Sequence, residues 1–193
     1  FDVTPEVLIP RPETETLIDL ARAREPETIV DVGTGSGCIA VSLAIHLDQA
    51  VVYAIEVSPA ALAVARRNVE QHGVSGRVQL MVGDVLNPRP APADLIVSNP
   101  PYIRTGDCAS LPTSVRNHEP RLALDGGPDG LTVARQLLAQ APAVLRPGGT
   151  ILIEIGADQA RVARDLARSC FPQATTRVHP DLAGRDRVLE IQT

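Results

Sequence analysis

The chain has no tryptophan and no lysine, one methionine, and only two tyrosines and two phenylalanines. With so few aromatics, aliphatic side chains must fill the core. All 18 basic residues are arginine. A replacement at every basic site at once reads as codon bias rather than function. The net charge of −5 supplies no basic face for a long nucleic-acid footprint, so direct nucleic-acid binding is not expected. Cys38, Cys108 and Cys170 are odd in number and widely spaced. They form neither a disulfide framework nor a CxxC metal site, which predicts a reducing cytoplasm. His46, His72, His118 and His179 lack ligand spacing, so no metal is expected. No apolar run approaches the roughly 18 residues of a membrane span, and no signal peptide opens the chain. A first residue Phe1 in place of Met predicts that a piece precedes it.

What is present is an ordinary globular composition, 44% hydrophobic and 21% charged, in 193 residues. That length fits one domain, residues 1–193, with a core of its own. Strand and helix patterns alternate, the signature of a parallel α/β sheet. A leading helix is predicted over 13–23, with Leu17, Ile18, Leu20 and Ala21 on one face. Strands are predicted over 28–32, 51–57, 78–82, 93–98, 150–155, 175–178 and 187–191. Helices are predicted over 38–47, 59–72, 131–145 and 159–169. Ser58 and Pro59 supply a cap and a first helical proline, and Gly73 a stop. A Pro-rich loop (Pro88, Pro90, Pro92) joins the third and fourth strands, and Pro147-Gly148-Gly149 makes a turn. Residues 103–127 show no period and read as a long loop, which in a compact domain is usually functional. The expected fold is α/β, doubly wound, with a mostly parallel seven-stranded sheet.

Gly33, Gly35 and Gly37 lie between the first strand and its helix. Glycines there let the backbone turn tightly and approach a ligand closely. Glu56 ends the second strand, about 20 residues on, where an acid grips a ribose diol. Asp84, in Val82-Gly83-Asp84-Val85, can accept from an adenine amino group or simply form the turn. Together these suit a nucleoside ligand. The run Asp31-Val-Gly-Thr34-Gly-Ser36-Gly37 resembles the signature of class I, Rossmann-like S-adenosylmethionine-dependent methyltransferases.

Asn99-Pro100-Pro101-Tyr102 follows the fourth strand, at the strand end where α/β sheets place active sites. Two prolines stiffen the peptide and remove its donors, leaving carbonyls free as acceptors. The Asn99 side-chain oxygen and the Pro100 carbonyl can each accept one N–H of an NH₂ group. Tyr102 offers a flat face for a planar substrate. An amide nitrogen is a poor nucleophile because its lone pair is delocalised. Two acceptors that draw its hydrogens out of plane favour a lone pair aimed at a methyl donor, in an in-line displacement run by positioning. No strong base is needed, because the proton becomes acidic once the methyl is attached. Asn-Pro-Pro-Tyr alone fits the exocyclic amine of adenine or guanine as well as glutamine.

Further segments narrow the choice. Phe1-x-Val-Thr-Pro-x-Val-Leu-Ile-Pro-Arg-Pro-Glu-Thr-Glu15, the glycine loop, Ser98 to Ile103, Glu119 to Leu131, Glu154-Ile-Gly156 and Asp181 to Val188 resemble the protein-(glutamine-N5) methyltransferases of peptide chain release factors, the HemK-type enzymes. The resemblance implies methyl transfer from S-adenosylmethionine to the glutamine of a Gly-Gly-Gln loop, leaving S-adenosylhomocysteine. It implies a release factor as partner and Gly33, Thr34, Gly35, Ser36, Gly37, Glu56, Asp84, Val85 and Asn99 as cofactor contacts. Asn99, Pro100, Pro101 and Tyr102 would hold the glutamine, with Asn99, Pro100 and Tyr102 as the catalytic set. The family's N-terminal helical domain, which helps dock the release factor, is not found in these residues. The family more often has Asp where this chain has Glu56, and the longer carboxylate still reaches a diol.

Arg11 either lines the pocket or is salt-bridged, and Glu119 either closes the pocket or anchors a loop. Asp181 to Arg187 is expected to turn between the last two strands. The alternative activity is an N6-adenine or N2-guanine nucleic-acid amino-methyltransferase that takes a flipped base into the same pocket. It predicts a basic stripe and a target-recognition segment, neither of which is visible. A cofactor-binding module without catalysis would have no need of Asn99 to Tyr102.

Overall fold

The computed structural model describes residues 1–87 and 90–193, so Pro88 of the predicted Pro-rich loop lies outside the described residues. In chain order the elements are α1 (Thr14–Arg22), β1 (Thr28–Val32), α2 (Cys38–His46), β2 (Val51–Glu56), α3 (Pro59–Gln71), β3 (Val78–Val82) and β4 (Ala93–Ser98). There follow α4 (Thr113–Arg116), α5 (Thr132–Gln140), β5 (Leu145–Glu154), α6 (Ala160–Cys170), β6 (Thr175–Pro180) and β7 (Asp186–Gln192). The seven strands form one sheet in the order β3-β2-β1-β4-β5-β7-β6. The first five are parallel, and β7 runs antiparallel to both of its neighbours.

Alternation along the central strands explains the layering. Ile29, Leu95, Val97 and Leu152 point to the face covered by α1, α2 and α3. Val30, Val32, Ile96, Ile151 and Ile153 point to the face covered by α5 and α6. With both faces buried, each strand reads as a continuous aliphatic run, and this stands in for the missing aromatics. Burying one such side chain contributes about 1.5–3 kcal/mol. In α1 the inward residues are Thr14, Leu17 and Ala21, with Ile18 and Leu20 packed at the edge. The Ser58 hydroxyl accepts from the Ala61 N–H at 3.2 Å, with Pro59 in the first turn, so the α3 cap forms as predicted.

Two boundaries differ from expectation. The helix predicted over 131–145 stops at Gln140, because Pro142 has no N–H and the chain tightens into a 3-10 turn at Ala141–Ala143. β5 begins at Leu145, not Thr150. Leu145 pairs with Ala93 and Thr150 with Leu95, so the predicted Pro-Gly-Gly turn is an outward excursion within the strand. Residues 103–127 are not without structure either. They carry 3-10 turns at Thr105–Ser110 and Arg121–Ala123 on either side of α4.

Because β1, β2, β4 and β5 are parallel, their carboxyl ends share one edge. The strand order turns back between β1 and β4, and the loops after those two strands open a crevice there. The glycine run follows β1 and the Asn99 tetrapeptide follows β4.

Candidate active site

The loop after β1 is held by backbone bonds to the next strand. The Gly33 and Thr34 N–H groups both donate to the Ile55 carbonyl, at 2.9 and 3.1 Å. Gly33, Gly35 and Gly37 all have positive φ, between 56 and 82°. A Cβ on Gly37 would come within 3.2 Å of Ala65 on α3, whereas Cβ atoms on Gly33 or Gly35 would meet nothing. The loop is therefore packed on its helix side and open on the other. The Glu56 carboxylate, mostly buried, accepts from the N–H of Gly35 and of Ser58, both at 2.9 Å. Those bonds fix it beside the glycine loop.

Beneath the loop, Asp31 is fully buried. Its Oδ2 accepts from the Thr34 hydroxyl at 2.6 Å, while Oδ1 has no partner. Burial pushes the Asp31 carboxyl up to about 7, with the Thr34 hydroxyl opposing. The Ser36 carbonyl accepts from Nδ2 of the fully buried Asn68, at 2.8 Å. The same Asn68 bonds the backbone of Asp2 in both directions, tying the chain's first residues to this loop. After β3, Val85 has φ 54°, a left-handed conformation that strains a β-branched residue, and it is nonetheless buried in the core. Such strain is concentrated at functional sites. The neighbouring Asp84 is exposed, and its carbonyl accepts from the Asn87 N–H at 3.0 Å. The structure brings Glu56 onto the glycine loop, and among the described residues the Asp84 side chain makes no hydrogen bond to that loop.

At the end of β4 the Ser98 hydroxyl donates to the Val32 carbonyl at 2.8 Å, joining the two strands at the crevice. Asn99 Nδ2 donates to the Thr14 hydroxyl oxygen at 3.1 Å, and that hydroxyl donates to Glu154 Oε2 at 2.8 Å. No protein donor reaches Asn99 Oδ1 or the Pro100 carbonyl among the described residues. Glu154 ends β5 and is almost fully buried. Burial lifts its carboxyl above the usual range, and Glu13 adds to the rise. The Thr14 hydroxyl, Arg187 and the Tyr102 hydroxyl restrain it. Burial, with Glu154 close by, also raises the Tyr102 phenol, so it stays neutral.

The chain beyond Tyr102 is clamped from the far side. The Gly126 N–H donates to the Ile103 carbonyl at 2.8 Å, and the Ile103 N–H donates to Leu124 at 3.1 Å. A Cβ on Gly126 would sit 2.4 Å from the Pro101 carbonyl, and one on Gly130 2.3 Å from the Tyr102 carbonyl. Only glycine lets these backbones meet. The buried Gln159 closes the clamp. Its Nε2 donates to the Tyr102 carbonyl at 3.0 Å and to Gly130 at 3.3 Å, and its Oε1 accepts from the Gly156 N–H at 2.8 Å. Arg11 pairs with Glu119, whose second oxygen is buried without a partner. The salt-bridged alternative for Arg11 and the anchoring alternative for Glu119 are thus one contact.

Sequence reasoning did not single out Thr14, Glu154 or Gln159. The first two lay inside segments quoted for resemblance, and Gln159 carried no signal beyond its place as the first residue of a predicted helix, of which it is the cap. Among the described residues no group of His, Cys, Asp and Glu is arranged to hold a metal, and no helix is long and apolar enough to cross a membrane.

A family model described as the methyltransferase small domain matches residues 12–114. The crystal structure of a methyltransferase from Pyrococcus furiosus superposes with a TM-score of 0.74 at 19% identity, over 100% of this chain and 87% of that one, a likeness of fold. The release factor glutamine methyltransferase of Moorella thermoacetica is 52% identical over 97% of this chain and 68% of its own length. That of Cereibacter sphaeroides is 48% identical over 98% of this chain and 68% of its own. The chain thus spans about two thirds of these relatives. A glycine loop and an Asn-Pro-Pro-Tyr peptide on adjoining strands, carried at this identity, mean that the chain belongs to the release factor glutamine methyltransferase family.

Proposed function

We propose that the chain transfers a methyl group from S-adenosylmethionine to the side-chain amide nitrogen of the glutamine in a release factor's Gly-Gly-Gln loop. The observation that carries this reading is the pair of unengaged acceptors, Asn99 Oδ1 and the Pro100 carbonyl, on a rigid peptide one strand from the glycine loop. Two acceptors on one side of a planar NH₂ satisfy both of its hydrogens and leave the nitrogen face open. A hydroxyl or thiol nucleophile would leave one acceptor unmet.

The residues present fit S-adenosylmethionine. The open side of Gly33 and Gly35 gives a ligand close approach to the backbone, and the fixed Glu56 carboxylate suits a ribose diol. The orphaned Asp31 oxygen, buried under the loop, suits a cation. Gly33 to Gly37, Glu56, Asp84 and Val85 are the residues we assign to holding it. When bound, it supplies an electrophilic methyl on a sulfonium. Asn99, Pro100, Pro101 and Tyr102 then hold the acceptor amide, and their work is orientation and electrostatic support rather than proton removal. The compartment that fits is the cytoplasm, where three free cysteines stay reduced. The relatives are named for glutamine, and none of these features favours a nucleic-acid base in its place.

The test is label transfer from methyl-labelled S-adenosylmethionine, offered separately a release factor, its loop variant with Gln replaced by Ala, and nucleic acid. Label is expected in the unaltered release factor alone. Label in nucleic acid, or equal label in the loop variant, would refute the proposal.

A further inference from the structure

We infer that Thr14 and Glu154 fix which way round the Asn99 amide faces, and so make the pocket select an amide NH₂ over a carboxylate of the same shape. The inference rests on the reading of Asn99 as a holder of the acceptor amide.

A hydroxyl has one proton and two lone pairs, and an ionised carboxylate only accepts. Thr14 Oγ1 lies 2.8 Å from Glu154 Oε2 and 3.1 Å from Asn99 Nδ2. Its proton is committed to Glu154, so toward Asn99 it can only accept. Asn99 must therefore turn its NH₂ to Thr14 and its Oδ1 the other way. The two ends of an amide are nearly equal in size, so sterics alone would not choose between them. The choice is electrostatic and is made by the proton direction in the chain from Asn99 through Thr14 to Glu154. All three residues are held for it: Thr14 is 4% and Glu154 1% exposed, and the chain after Asn99 is stiffened by Pro100 and Pro101. Burial raises the Glu154 carboxyl, and the Thr14 hydroxyl, Arg187 and the Tyr102 hydroxyl oppose that rise.

A flipped Asn99 would present N–H donors to the substrate. Two donors would then face each other when glutamine binds, and a glutamate side chain would be welcomed where it is now repelled. Thr14 and Glu154 are thus positioning residues that act through Asn99.

The experiment measures transfer to a release factor, and inhibition by its loop variant with Gln replaced by Glu, for the wild-type chain, Thr14→Val and Thr14→Ser. The readout is the ratio of the inhibition constant of the Glu variant to the KM of the natural substrate. Thr14→Ser keeps the hydroxyl and is expected to keep both transfer and this ratio. Thr14→Val keeps the shape, and is expected to lower transfer and to narrow the ratio, each by about tenfold or more. Glu154→Gln, which can offer Thr14 a donor in place of an acceptor, should narrow the ratio as well and serves if Thr14→Val does not fold. Unchanged affinity for S-adenosylmethionine shows that a variant is folded. Loss of transfer with an unchanged ratio would mean packing alone, and would overturn the inference, as would Thr14→Ser behaving like Thr14→Val. A wild-type chain that methylates no release factor would overturn the functional reading and this selection with it.

Discussion

The two halves of the site are built differently. The glycine loop is held by near neighbours in sequence: Gly35 bonds Glu56, 21 residues away, and Ser36 bonds Asn68, 32 away. The Asn99 pocket is gathered from afar. Thr14 and Glu154 are 140 residues apart, Arg11 and Glu119 108, Asn99 and Thr14 85, and Tyr102 and Gln159 57. The glycine loop needs only β1, β2 and the two helices that follow them, a consecutive stretch of chain. The pocket needs the finished sheet, because its parts arrive on α1, on the loops after β4 and β5, and on the segment before α5. The residues before α1 touch both halves, through Asp2 on Asn68 and Arg11 on Glu119.

This difference makes separable effects, and variants can break or sharpen it. The largest concerns stability on the glycine-loop side. The Asp31 carboxyl is raised in the folded chain, so the native state holds its proton more tightly than the unfolded state. Its contribution is therefore intact below about pH 4 and is lost as pH rises toward 7. Asp31→Asn removes that loss and should stabilise the chain by about 2–4 kcal/mol at pH 8, with little gain at pH 4. Denaturant melts of both proteins at the two pH values check this.

Next comes Asn99→Ala, expected to lower transfer by a factor of about 10² or more with S-adenosylmethionine binding retained. Single-turnover kinetics beside a binding titration make the comparison. Gly126→Ala drives a Cβ to 2.4 Å from the Pro101 carbonyl. It should cost about 1–3 kcal/mol of stability and reduce transfer more than cofactor affinity, which thermal melts and a KM measurement would reveal. The smallest effect is expected at Arg104, whose pair with Asp158 is exposed on both sides. Arg104→Ala should leave transfer and melting temperature unchanged within error.

The contrast also explains what was legible in the sequence. The central strands were readable because, buried on both faces, they announce themselves as aliphatic runs bounded by turn residues. Gly33 to Gly37 and Glu56 were readable because the motif and the fold place them together by local geometry. Thr14 and Glu154 were not, since a Thr in a first helical turn and a Glu at a strand end each have an ordinary reading. Their chemistry exists only where α1 crosses the end of β5. Gln159 is the extreme case, a polar residue whose Nε2 donates to three carbonyls on two remote loops. Gly126 and Gly130 lay within a segment quoted for resemblance, and their purpose, to let two backbones touch, appears only in the assembled fold. The helix that ended at Gln140 was misjudged for a local reason, Pro142, which was present in the sequence.

The separateness of the halves is tested most directly by titrating two variants, Glu56→Ala and Asn99→Ala, each with S-adenosylmethionine and with a release factor. The account predicts a crossover: Glu56→Ala loses about tenfold or more in cofactor affinity and keeps release-factor affinity, while Asn99→Ala does the reverse. Both variants losing both affinities alike would contradict it.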